Sequence, residues 1–100
     1  MEIAYHFHNL DPSDAMKEYA SKKVEKLTGH FNSVMSAVIR FRTEKIHHTA
    51  EISVNGDGVQ YIATETAGDM YAAIDLAEKK LEKQLKKHKE KHMGKHRRED

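Results

Sequence analysis

Apolar and polar residues alternate one for one over residues 2–8, with Ile3, Tyr5 and Phe7 on one side and Glu2, His6 and His8 on the other. A period of two predicts a strand buried on one face. The period then lengthens. Met16, Ala20, Val24 and Leu27, flanked by Tyr19, recur every three or four residues and predict a helix with one apolar stripe. Asp11 suits the N-cap, Pro12 the first helical position, Asp14 the first turn, and Gly29 the position just past the end. Lys22 and Lys26 point away from the stripe, and Lys23 lies at its edge.

Alternation returns over 34–43, where Met35, Ala37, Ile39 and Phe41 oppose Ser36, Val38, Arg40 and Arg42. It continues over 47–55, where Ala50, Ile52 and Val54 oppose Glu51 and Ser53. Asn55-Gly56-Asp57-Gly58 predicts a hairpin turn, because Asn and Gly tolerate positive φ. The next strand, 59–66, puts Val59, Tyr61 and Ala63 on one side and Ile62 on the other. Gly68-Asp69 opens a last helix with Asp69 as N-cap, and Met70, Ala73, Ile74, Ala77, Leu81 and Leu85 form its stripe.

The order β-α-β-β-β-α defines an α+β fold, a four-stranded sheet with both helices packed on one face. A helical crossover makes the first two strands parallel neighbours; the remaining pairings are antiparallel hairpins. The uncovered face shows Arg40, Arg42, Glu51 and Ser53. A last helix from Met70 to about His92 measures about 35 Å. It outruns a strand of about 30 Å, so its end projects past the body. Gly94 is expected to stop it. The chain therefore divides into one α+β domain over 1–92 and a short, basic, flexible tail over 93–100.

Composition narrows the functional classes. The chain is 38% hydrophobic and 33% charged, and it has no cysteine, which removes disulfides, thiolate metal sites and cysteine nucleophiles. No segment approaches the roughly 18 apolar residues of a membrane span, so a cytoplasmic protein is expected. There is no G-x-S-x-G elbow and no phosphate-binding glycine loop; neither an enzyme nor a cofactor is expected. Eight histidines raise the question of a metal. His88, His92 and His96 follow helical spacing, but Gly94 falls between the last two and no carboxylate keeps step with them. They read as polar residues of a basic surface.

Charge is distributed unevenly. Residues 1–78 carry 7 Lys or Arg against 12 Asp or Glu, and residues 79–100 carry 10 against 4. At 3.6 residues per turn, Lys79, Lys80, Lys83, Lys86 and Lys87 share an arc of roughly 120°. Asp75, Glu78 and Glu82 separate that arc from the apolar stripe on one side. Part of this pattern suits a solvated face with Asp75–Lys79 and Glu82–Lys86 pairs at i,i+4. An acidic protein or a membrane surface is another option. The basic run nevertheless continues through Lys89, Lys91, Lys95, Arg97 and Arg98, and a polyanion accounts for more of it. Lysine neutralises phosphates without reading bases, and Tyr71 at the start of the helix belongs with the core. Salt-sensitive, shape-dependent binding of structured RNA is expected.

At these residues the chain resembles a known family. Asp69-Met70-Tyr71-Ala72-Ala73-Ile74-Asp75, then Lys80-Leu81, Gln84-Leu85 and Lys87-His88-Lys89, are similar to the ribosome hibernation promoting factors. So is Glu44-Lys45-Ile46-His47-His48-Thr49-Ala50 leading to Val54-Asn55-Gly56. The resemblance implies a fold related to the double-stranded RNA-binding domain. It also implies a cytoplasmic bacterial protein that binds the small ribosomal subunit when growth slows. There it would occupy the channel of messenger RNA and the A- and P-site transfer RNAs and block translation. The implied rRNA-binding residues are Lys22, Lys23 and Lys26 on the first helix, and Lys79, Lys80, Lys83, Lys86 and Lys87 on the second, with Lys89 and Lys91 continuing the run. Long members add a dimerising domain that this chain has no room for. Short members can act with a separate ribosome modulation factor, and a close relative opposes ribosome pairing through an extended tail. The short promoting form, monomeric off the ribosome, fits best. A free double-stranded RNA-binding module is the alternative.

Overall fold

The computed structural model describes residues 2–27 and 34–98, with side-chain surroundings described for 2–27 and 36–87. Four strands and two helices follow in the order β1 (Glu2–His8), α1 (Asp14–Leu27), β2 (Val34–Glu44), β3 (His47–Gly56), β4 (Val59–Ala67) and α2 (Met70–Arg98). The sheet order is β1-β2-β3-β4; β1 and β2 are parallel, and the other neighbours antiparallel. The α+β fold expected from the periodicities is the fold observed.

Register explains the two-faced sheet. Tyr5 pairs with Ile39, Phe7 with Phe41, Ile39 with Ile52, and Ile52 with Ala63, so the apolar side chains of these rows land on the helix side, while Val38 and Ile62 fall on the opposite face. Ala20, Val24 and Leu27 of α1 and Met70, Ala73, Ile74, Ala77, Leu81 and Leu85 of α2 close over it, all essentially inaccessible to water. Phe7 stacks on Phe41 at 4.7 Å between ring centroids. Each such large apolar side chain contributes roughly 1.5–3 kcal/mol on burial, which makes this layer the source of stability.

Turn chemistry sets the connections. Asn9, at φ 62°, swings the chain off β1, and its carbonyl accepts a hydrogen bond from Thr43 Oγ1 at 2.6 Å. Ser13, rather than Asp11, caps α1: its Oγ accepts from the Met16 amide at 3.2 Å and its carbonyl from the Lys17 amide. Ser13 displaces Asp11 because capping joins a side-chain oxygen to an amide two or three residues on, and α1 begins only at Asp14. Gly29, expected to end α1, lies outside the described residues. The β3–β4 turn is tighter than the Asn55–Gly58 stretch suggests. Asn55 and Gly56 stay in the ladder, and Asp57 and Gly58 alone turn the chain, at φ 52° and 77°. Two positive values match a type I′ turn. Asp69 caps α2 as expected, accepting from the Ala72 amide at 3.0 Å.

Because α1 returns from the top of β1 to the foot of β2, and α2 leaves the top of β4, the two helices run parallel. The helix α2 does not stop near His92; it continues through Gly94 to Arg98. One glycine costs a helix interior only about 1 kcal/mol, and the residues around it are good helix formers. Gln84 donates to the Ile62 carbonyl at 3.1 Å, three residues from the foot of β4, whereas α2 runs on from Gln84 to Arg98. That leaves about 10 Å of strand under about 21 Å of helix, and the molecule measures 54 × 24 × 17 Å.

Candidate nucleic-acid interface

The surface of the paired helices carries most of the lysines singled out in the sequence. On α1, Lys22 points outward and pairs with Glu18 at 3.3 Å. Lys26, one turn on, makes no ion pair among the described residues. On α2, Lys79, Lys83 and Lys87 likewise make none, and Lys86 pairs with Glu82 at 3.4 Å, as the i,i+4 spacing predicts. Lys80 leans over the sheet edge to Glu65 of β4 at 3.4 Å. The side chains of Lys89 and Lys91, and those of His88, His92 and His96, lie outside the described residues.

Lys23 departs from the expectation of a free phosphate ligand. Its ammonium lies 3.4 Å from Asp75 Oδ1 in the seam between the helices, and its side chain is only 26% exposed. Tyr19 donates its hydroxyl to the same oxygen at 2.6 Å. The predicted Asp75–Lys79 pair does not form, because Asp75 turns toward α1, where a phenol and an ammonium both reach it. The Tyr19 hydrogen bond, with Lys23 adding to it, holds the Asp75 carboxyl below its ordinary range. The same contact raises the Tyr19 hydroxyl. Lys23 is desolvated, which alone would lower it, but Asp75 keeps its ammonium above the ordinary value. Tyr71, expected in the core, is 38% exposed and packs edge-on against Tyr19 with centroids 5.1 Å apart. It closes the top of the seam.

Glu78, further along the seam, is 8% exposed. Burial is the main cause of its raised carboxyl; Glu82 adds to it, and Lys23 and Lys26 oppose it. Asp75 and Glu78 of α2 thus face α1, while Glu82 stays half-exposed beside Lys86. The α2 lysines are left to form the outer surface with Lys22 and Lys26. Periodicity sorted the sectors, but the partner across the seam is more than fifty residues away in the chain, and no local pattern exposes it.

Two other expectations concern the sheet and metal binding. Ser53, read as open to water, is 3% exposed and accepts a hydrogen bond from Gln60 Nε2 at 2.9 Å. A longer side chain from the next strand lies over it. Among the described residues no group of three His, Cys, Asp or Glu side chains is placed to hold a metal ion.

This β-α-β-β-β-α domain is a two-layer α+β module with a lysine-bearing face on two parallel helices. The sequence profile described as Sigma 54 modulation protein / S30EA ribosomal protein matches residues 3–93, and the chain belongs to that family. It is 35% identical over 82 residues to the ribosome hibernation promoting factor of Azotobacter vinelandii, covering 82% of this chain and 77% of that one. The Escherichia coli K12 factor of the same name is 32% identical over 75 residues, covering 75% and 79%. Of a Staphylococcus aureus ribosome hibernation promotion factor, 35% identical, the chain spans 42%. Among solved structures, the Thermus thermophilus Protein Y N-terminal domain superposes with a TM-score of 0.80 at 31% identity, covering 88% of this chain and 99% of that one. A ribosomal subunit interface protein from Coxiella burnetii gives 0.78 at 28% identity, covering 89% and 98%. No helix among the described residues is long and apolar enough to cross a membrane.

Proposed function

We propose that this protein is a cytoplasmic translation inhibitor that seats its helix face on rRNA of the small ribosomal subunit, in the channel of messenger and transfer RNA, during slow growth. The observation that carries this reading is the single outward surface built by parallel α1 and α2. There Lys26, Lys79, Lys83 and Lys87 are without ion pairs among the described residues, while Asp75 and Glu78 of α2 are turned toward α1. Unpaired ammoniums on a rigid support bind phosphates without first breaking internal pairs. Lys22, Lys80 and Lys86 would exchange an exposed carboxylate for a phosphate; such surface pairs are weak. Lys23 acts as a strut between the helices rather than as a ligand. The names of the relatives, hibernation factors and a subunit interface protein, support a ribosomal partner over a free duplex. A modulation factor bound beside it on the ribosome belongs to the same reading.

Co-sedimentation with purified small subunits tests it. The protein should travel with the subunits and be displaced when transfer RNAs fill the channel. Charge reversal of Lys83, Lys86 and Lys87 should abolish co-sedimentation while leaving the melting temperature unchanged. Equal affinity for any RNA duplex, untouched by transfer RNA, would favour a general double-stranded RNA module instead.

A further inference from the structure

The sheet face turned away from the helices has its own chemistry. Register aligns its side chains in rows across the strands. His6, Arg40, Glu51 and Thr64 form one row, and His8, Arg42, Thr49 and Thr66 the next toward the β2–β3 hairpin. Neighbouring strands lie about 4.8 Å apart and alternate residues about 6.7 Å apart, so His6, His8, Arg40 and Arg42 form a compact square at the β1–β2 corner. All four are exposed, and they line one open hollow.

Arg40 is held in place. Its Nη1 donates to Glu51 Oε2 at 3.0 Å, and Glu51 Oε1 accepts from Thr64 Oγ1 at 3.3 Å. The guanidinium is fixed at one edge while the residue stays exposed to solvent. Arg42 makes no ion pair among the described residues. Glu44 and His47 close the hairpin end of this face. On the other side of the square the row Ala4, Val38, Ser53 and Ile62 is largely apolar, with Ile62 47% exposed.

These residue types differ from those of the helix face. Lysine offers a point charge for phosphate, whereas guanidinium and imidazole planes both stack on unpaired bases and donate to base edges and phosphate oxygens. An open sheet face bearing planar side chains suits splayed single-stranded bases; it does not suit a duplex, whose bases are stacked inside. We infer that the open sheet face, centred on His6, His8, Arg40 and Arg42, is a second interface, for single-stranded RNA, separate from the lysine face of the helices. The two surfaces look in opposite directions. A bound molecule would therefore lie between structured RNA on one side and an unpaired strand on the other. This inference does not depend on the helix face having a ribosomal partner.

Fluorescence anisotropy with the full chain tests it, using an unstructured labelled RNA of about 12 nucleotides and a duplex of about the same length at about 50 mM salt. His8→Glu with Arg42→Glu should weaken single-strand binding by roughly tenfold or more and leave duplex binding within about threefold. Lys83→Glu with Lys87→Glu should do the reverse. If the sheet variant melts early, Arg42→Gln alone takes its place and should weaken single-strand binding by a smaller factor. The inference is overturned if the wild-type protein ignores the single strand, or if only the helix variant weakens its binding. Heparin, a polyanion without bases, is the control for plain charge attraction. Displacement of the single strand by heparin at equal charge would also overturn it.

Discussion

Asp75 shows how one side chain can decide which of its neighbours are available for binding. By accepting from Tyr19 and Lys23 it ties α1 to α2 and removes Lys23 from the outer surface. Its carboxyl is lowered in the folded protein from an ordinary 3.8, so the seam contributes stability above that pH and loses it as pH falls through the folded value. Tyr19→Phe removes the larger cause. Urea melts of the variant should show a deficit at neutral pH that disappears in acid; a deficit independent of pH would mean that Tyr19 acts through packing alone. Glu78 has the opposite sign. Its carboxyl is raised from 4.5, chiefly by burial, so the folded state holds the proton more tightly. Its contribution is favourable at low pH and is lost as pH climbs past the unfolded value. Glu78→Gln should accordingly raise the melting temperature at neutral pH, with the gain shrinking toward acid.

The two faces of α2 separate folding from binding along one element. Leu81 is fully buried, and Leu81→Ala should cost about 2–5 kcal/mol in denaturant melts, because the cavity adds to the lost transfer energy. Leu76, 43% exposed among the lysines, should tolerate Leu76→Ala within about 0.5 kcal/mol. That contrast was legible in the sequence, since the stripe of α2 is a matter of spacing within one helix. So were the strands, the order of elements and the Asp69 cap, all set by residues close together in the chain. What the sequence did not expose depends on distant or competing partners. Asp11, Ser13 and Asp14 are all competent caps, and only the starting point of the helix selects Ser13. Lys23 reads like Lys22 and Lys26 until α2 brings Asp75 beside it. The Asn55–Gly58 stretch offers several turns, and the cross-strand register chooses Asp57-Gly58.

At the scale of the whole molecule, a thin, elongated body holds two chemically distinct surfaces, and α2 extends well past the sheet that supports it. Among the described side chains the core ends with Leu85, so removing residues 89–100 should leave the melting temperature nearly unchanged. The same truncation should reduce the salt dependence of subunit binding and slow its association at low salt, measured by stopped flow; an unchanged rate would make the extension a bystander. The overhang also has a kinetic meaning. Under the proposed function, a charged rod reaching beyond its anchor would meet a crowded, negatively charged cavity before the rest of the domain arrives, and would tether the molecule there while the body rotates into place. Docking would then become a search in one cramped volume, begun by a stretch of chain whose loss the fold would scarcely register.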